Sequence, residues 1–462
     1  MSDTGLQQAQ DKMAGAGVPR QAIDVFTHYY RALESGATGI IAEDTIQPLL
    51  DPAHLADSDV DEIAARDALD KTVIIKLNGG LGTSMGVTGP KSLLPVRSGQ
   101  SFLDLIVAQV RHARATYDVR LPLLLMNSFR TQAESLAALA AHPDIAVPGL
   151  PADFLQNQEP KLRAEDLTPV SWPHDPSLEW CPPGHGDLYT AILTSGVLES
   201  LLAQGYRYAN TSNADNLGAA PNLRLAGWFA ASGAPYAAEL CRRTAADRKG
   251  GHLAIRRADG RLILRDTAQT APEDMDAFTD EHRHPYFHTN NLWFDLQALH
   301  NALTERGSVL GLPLIRNTKT VDPTDPSSPE VVQIETAMGA AIEVFDGAAA
   351  IEVARERFLP VKTTNDLLLL RSDAYLLGAD GRLALAGDAA PLVDLDPTHF
   401  RTMADFESRF PTGAPSLARA TSLEVRGDWT FGADVVVTGA VALADEGPAQ
   451  QVPDGAQLDA PA

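Results

Sequence analysis

The stretch Lys71–Lys91, KTVIIKLNGGLGTSMGVTGPK, decides how this chain is read. Thr72 to Leu77 is a β-branched, apolar run of strand length. Asn78 ends it, and Gly79, Gly80, Gly82 and Gly86 crowd the residues that follow. Clustered glycines let a backbone turn through positive φ and bring its N–H groups close to an anion, where a Cβ would intrude. Lys91 then adds a full positive charge. A strand running into such a loop is suited to phosphate, yet it matches neither of two better-known motifs. Walker A places Gly directly before Lys and Ser, whereas Pro90 separates Gly89 from Lys91 and Ser92. The dinucleotide fingerprint fails because Gly80, Gly82 and Gly86 are spaced one residue too wide.

Working outward, β and α signals alternate. Ser101 and Asp104 form a capping box, and Leu103, Ile106, Val107 and Val110 mark one face of the helix it opens. Leu121 to Met126 reads as a second strand, followed by a helix over 127–141 with Thr131 and Glu134 as another box. A helix from Leu188 to Gln204 stops at Gly205, and Tyr206 to Ser212 reads as the next strand. This alternation predicts an α/β fold with a doubly wound, mixed but mostly parallel sheet, whose ligands lie at the carboxyl ends of the strands. Leu253 to Ile255 and Leu262 to Leu264 flank Ala258-Asp259-Gly260 as a hairpin.

Both ends of the chain differ from this middle. Residues 1–70 read as a helical, non-catalytic segment, with Ile23, Phe26, Tyr30 and Leu33 at helical spacing after Pro19 and an acidic stretch from Asp57 to Asp70. Residues 71–385 form the expected catalytic domain. In 386–446, Leu423, Trp429, Val435 and Val441 recur every six residues, and Phe431, Val437 and Leu443 repeat the spacing. That period marks a short β-helix, expected to pack on the catalytic domain or on a neighbouring subunit, which makes it a route to a homo-oligomer. Residues 447–462, rich in Pro, Ala, Gln and Asp, are expected to be disordered.

At 462 residues with a formal charge of −23, the chain can bury a large core and is a poor match for nucleic acid or an anionic membrane. Two cysteines without C-x-x-C spacing give no zinc site or disulfide framework. Neither a signal peptide nor a membrane-length apolar run is present, so a cytoplasmic enzyme is expected. Only eight of the 37 basic residues are lysine, so a lysine inside a motif stands out for its compact charge.

Further motifs follow in order: CPPGHGD (181–187), SNADNLGA (212–219), RKGG (248–251), TNNLWF (289–294), QIETAMGAA (333–341) and FLPVKTTNDLL (358–368). On its own, Cys181–Asp187 is a rigid, glycine-containing approach to a helix start, favourable to an anion. Asp215, at a strand's end, suits Mg²⁺ if phosphate oxygens and water complete the shell, with a helix cap as its other use. Asn290 and Asn291 interrupt an aromatic strand and need polar partners, and Glu335 ends an apolar one. Sugar hydroxyls or structural hydrogen bonds would satisfy all three.

Together with the loop LNGGLGTSMG…GPKS, these motifs closely resemble the UTP:glucose-1-phosphate uridylyltransferases of the eukaryotic-like pyrophosphorylase family, over roughly Lys71 to Ser372. The resemblance implies a sugar-nucleotide transferase fold that joins UTP and glucose 1-phosphate into UDP-glucose and pyrophosphate with Mg²⁺. It implies UTP binding by Leu77, Asn78, Gly79, Gly80, Lys91, Gln156 and Gly184, with the Gln156 amide on the uracil. It implies that His185, Asn213, Asn290, Glu335 and Lys362 hold the sugar phosphate, that Asp215 holds the metal, and that Lys91 and Lys362 are catalytic. The chain departs from the family at Tyr208-Ala209-Asn210-Thr211-Ser212, polar where members are apolar, which brings that strand's regularity into question. Three other readings compete. An N-acetylglucosamine 1-phosphate enzyme of the same family is disfavoured by Thr83-Ser84-Met85 and TNN. Pro90 speaks against a P-loop kinase. A non-catalytic UDP-sugar-binding regulator is disfavoured because both lysines and the acidic ligand are kept.

Overall fold

A computed structural model describes residues 3–244 and 250–459. RKGG therefore lies partly outside the described residues. The central sheet contains, in chain order, β1 (Ala53–His54), β2 (Thr72–Asn78), β3 (Leu123–Asn127), β4 (Asp153–Leu155), β5 (Tyr208–Asn213), β6 (Tyr236–Arg242), β7 (Tyr286–Asp295) and β8 (Ala349–Glu352). Their spatial order is β1-β8-β6-β7-β5-β2-β3-β4. Only β7 runs against its neighbours, pairing antiparallel with β5 and β6; the other pairs are parallel. The expected mixed, mostly parallel sheet is what forms.

β2 lies inside the sheet and is buried on both faces, which is why its sequence is a near-continuous apolar run. Val73 and Ile75 join the apolar layer formed with the N-terminal helices Asp3–Gly15 and Arg20–Glu34. Ile74 points the other way, into a layer shared with helix Phe102–Tyr117 and the C-terminal strands. Ile23, Phe26, Tyr30 and Leu33 are buried as their spacing requires.

Several local expectations shift. The single helix expected over 188–204 is two, Leu188–Thr194 and Val197–Ala203, broken at Gly196 with φ 73°. After β3 the helix is shorter, Gln132–Leu139, because Thr131 Oγ1 accepts from Ser128 N at 3.0 Å and closes a turn instead of a capping box. The polar strand β5 is regular and pairs with β2 along its whole length. Two of its polar side chains find partners inside the protein: Asn210 donates to Leu292 O at 3.1 Å, and Ser212 Oγ accepts from Lys76 Nζ at 2.7 Å, whereas the buried Thr211 hydroxyl has none.

At the C-terminus, β9 (Leu392–Leu395), β10 (Ser416–Val425), β11 (Val436–Leu443) and β12 (Gln457–Asp459) form a parallel sheet in that order. Trp429–Phe431 and Gln450–Val452 form a separate parallel pair. Leu423, Phe431, Val435, Val437 and Val441 are buried. The disordered tail expected over 447–462 is corrected over 447–459; residues 460–462 lie outside the described residues. Both β12 and Gln450–Val452 extend ladders already in place, and Val452 is buried at 3% exposure. A chain segment too polar to fold alone is ordered when a repeat offers it a ready edge.

Candidate active site

The loop after β2 folds back on itself at the carboxyl edge of the sheet. Asn78 braces it, donating to Asn127 Oδ1 at 2.7 Å and Ser135 Oγ at 2.8 Å. Lys91 N donates to Gly80 O at 3.4 Å beside a Leu81–Pro90 bridge, closing the loop. A Cβ on Gly80 would meet nothing within 4 Å, so protein packing does not require glycine there; it leaves room for a close approach from outside. Gly79 is confined, since a Cβ there would lie 2.8 Å from Gln156 Oε1.

Closing the loop delivers Lys91 to Asp215, with Nζ 2.7 Å from Asp215 Oδ2. Lys91 also donates to Val361 O, and Val361 N donates to Asp215 O at 3.3 Å. A bridge between Asn216 and Pro360 straps the same two segments. Three motifs far apart in sequence thus meet at one point. Asp215 Oδ1 is buried and has no hydrogen-bond partner, a donor atom suited to a cation. Among the described residues no three His, Cys, Asp or Glu side chains converge, so a metal on Asp215 would take its other ligands from phosphate and water. Lys362 is exposed, its Nζ 5.9 Å from the centroid of the Phe287 ring.

A second group of the expected residues gathers around Gln156 and Gly184. Gln156 Nε2 donates to Gly184 O at 2.8 Å, leaving Oε1 and one N–H. Gly184 has φ 79°, and a Cβ there would lie 2.5 Å from Thr336 O and 3.1 Å from Glu335 Cβ; only glycine fits. His185 Nδ1 accepts from Met338 N at 2.9 Å, which puts the proton of the neutral ring on Nε2. Desolvation by the surrounding protein lowers its pKa and favours that neutral form. Glu335, partly exposed, lies 3.6 Å from Lys319 Nζ. Asn290, at φ 61°, donates to Asn213 Oδ1 at 3.0 Å, so these two expected sugar-side residues sit together.

Asn291 is not free for a sugar. Its amide donates to Glu239 Oε2 at 3.2 Å and Arg357 O at 3.3 Å and accepts from Asn216 at 3.1 Å. It belongs to a buried network in which Arg357 grips Glu239 at 2.6 and 2.9 Å and Trp293 Nε1 donates to Glu239 Oε1 at 2.9 Å. The Asn78 amide likewise spends its Nδ2 hydrogens on Asn127 and Ser135, leaving Oδ1 and the backbone to serve a ligand. Sequence reasoning passed over Lys76, whose ammonium ties Ser212 to Ala219 O (2.9 Å) beneath the Asp215 loop. A lysine inside TVIIKLN was the available signal. Burial, with Arg357 nearby, brings its pKa down to about 7.

The mixed, mostly parallel α/β core is consistent with a nucleotidyltransferase. The family model described as UTP--glucose-1-phosphate uridylyltransferase matches residues 23–438, and the chain belongs to that family. It is 36% identical to the probable UTP--glucose-1-phosphate uridylyltransferase of Schizosaccharomyces pombe, over 97% of this chain and 89% of that one. To the UTP--glucose-1-phosphate uridylyltransferase of Solanum tuberosum it is 39% identical, over 87% and 83%. Among solved structures, a Leishmania major UDP-glucose pyrophosphorylase variant in complex with UDP-glucose superposes with a TM-score of 0.93 at 40% identity, covering 100% of this chain and 99% of that one.

Proposed function

We infer that this chain converts UTP and glucose 1-phosphate to UDP-glucose and pyrophosphate, as its family membership indicates. The observation that best supports a site for that reaction is the meeting of Lys91 and Asp215, 124 residues apart, at 2.7 Å on the carboxyl edge of the sheet. A phosphate oxygen of the sugar phosphate attacks the UTP α-phosphorus in line and pyrophosphate departs. A phosphate monoester is already largely dianionic at pH 7, so the site needs no general base. It must instead hold two anions together inside a protein of charge −23.

In this reading Gly79, Gly80 and the backbone at Leu77 and Asn78 carry the nucleotide, Gln156 and Gly184 meet the uracil, and Lys91 faces the departing pyrophosphate. Lys362, on the segment strapped to Asp215, faces the reacting phosphates. His185 offers its Nε2–H to the sugar phosphate, and Asn213, Asn290 and Glu335 flank the sugar. Enzymes of this kind generally use a divalent metal; Asp215 Oδ1 would hold Mg²⁺, which supplies charge neutralisation when bound. We also read the C-terminal parallel strands as a short β-helix, supported by buried Leu423, Val435 and Val441 at multiples of six residues and by the pairing of Leu423 with Val441. The division at about residues 70 and 385, and a cytoplasmic location, belong to the same proposal; no described helix is long and apolar enough to cross a membrane.

The test is pyrophosphate release from UTP with a panel of sugar 1-phosphates, with Mg²⁺ titrated. Glucose 1-phosphate should be preferred over N-acetylglucosamine 1-phosphate, and Asp215→Asn should raise the Mg²⁺ needed for half-maximal rate as well as lower the rate. An unchanged Mg²⁺ titration in that variant would remove Asp215 from the metal site.

A further inference from the structure

We propose that Asp187 is a positioning residue for base recognition: it clips the Gln156–Asn157 segment to the Gly184–Asp187 turn and so sets the geometry in which the uracil is read. The proposal rests on the reading that Gln156 meets the base. Asp187 is buried at 5% exposure and touches no atom of the Lys91–Asp215 cluster in its hydrogen bonds. Its Oδ2 accepts from Asn157 N at 2.6 Å and its Oδ1 from Asn157 Nδ2 at 2.8 Å. The neighbouring Gln156 is held by its own N–H on Asn127 O at 2.7 Å and by its amide on Gly184 O at 2.8 Å. The Gln156 backbone is therefore referred to the end of β3 and its amide to Gly184, with Oε1 and one amide N–H left for a ligand.

Behind the clip is a cavity of about 30 Å³, room for one or two waters, lined by Asn157, Glu159, Gly186, Asp187 and Thr336 and walled by Phe26 and Tyr29 of the N-terminal helix. Glu159 Oε1 is buried there without a partner, and burial, then Asp187 and Glu335, push its pKa well up. Burial also pushes Asp187 up to about 7, against the two Asn157 bonds. A carboxyl placed at such cost, with both oxygens on one asparagine of the base-reading segment, is explained by what it orients. Without it Asn157 N–H loses its acceptor inside the protein, and the segment moves to find another.

The experiment measures kcat/KM for UTP and for CTP in three variants, with thermal unfolding alongside. Asp187→Ala should lower the preference for UTP about tenfold, through KM for UTP, while KM for glucose 1-phosphate stays near wild type. Asp187→Asn, which keeps both bonds once the Asn157 amide flips, should restore most of the preference. Should Asp187→Ala fail to fold, Asn157→Ala removes half of the clip at a partly exposed position and should lose about threefold. An unchanged preference, or equal rises in both KM values, overturns the positioning role. Gln156→Leu separates the two readings: if it leaves base preference intact, Gln156 does not read the base, whereas a loss there with none in the Asp187 and Asn157 variants defeats the clip alone.

Discussion

Replacing Lys91 by Met keeps most of the side-chain volume and deletes one charge. Lys91 Nζ donates to Asp215 Oδ2 at 2.7 Å and to Val361 O, and the two paired side chains are 16% and 19% exposed. A hydrogen bond between charged groups contributes about 1.5–3 kcal/mol, and the remaining solvent access trims that value, so the folded state should lose roughly 1–2 kcal/mol. Turnover should suffer more. Removing one preorganised charge from a site where anionic charge develops costs about 10²–10³ in kcat, or about 2.7–4 kcal/mol. Urea unfolding would give the first quantity, and pyrophosphate release at saturating UTP and glucose 1-phosphate the second. The double variant with Asp215→Asn adds a decisive comparison. If both residues act on the same phosphates, the double variant should fall little below the weaker single one, because the losses are shared. Turnover within about threefold of wild type in Lys91→Met, or losses that multiply in the double variant, would refute a common electrostatic cluster.

Other outcomes follow from the same geometry. Arg357→Met strands the Glu239 carboxylate at 0% side-chain exposure and should cost about 3–5 kcal/mol, most of it recovered by adding Glu239→Gln; chemical denaturation at neutral pH reads both. Gly186→Ala places a Cβ 2.3 Å from Thr336 Oγ1 and 2.9 Å from Thr336 C, displacing the turn that carries His185, so KM for glucose 1-phosphate should rise at least about tenfold in steady-state assays. Asp187 has a folded pKa of about 7 against an ordinary 3.8, so its protonated form stabilises the fold. That contribution, on the order of 4 kcal/mol, is complete below about pH 4 and lost as pH rises through 7. Asp187→Asn should therefore flatten the fall of stability between pH 4 and 8, and a parallel wild-type curve would contradict the assignment.

The sequence by itself determined the strand–loop–lysine unit at 71–91, the alternation that makes a doubly wound sheet, and the amphipathic N-terminal helix. Each is a local property: apolar periodicity, glycine density and capping chemistry act within a few residues and are visible wherever the chain goes. It also held the six-residue repeat whose parallel ladders form at the C-terminus. It did not hold the fate of polar side chains, because a hydrogen-bonding group looks the same in sequence whether its partner is a substrate or a strand 100 residues away. Asn290 and Asn291 are adjacent, yet the left-handed φ of 61° at Asn290, where the β6–β7 register shifts, sends the first to Asn213 and the second into the Glu239–Arg357 network. The polar run in β5 looked irregular until Lys76 and Leu292 supplied its partners. Tertiary structure alone decided these, and the Asp187 clip with them, since only folding sets which distant groups share a low-dielectric interior and must satisfy one another there.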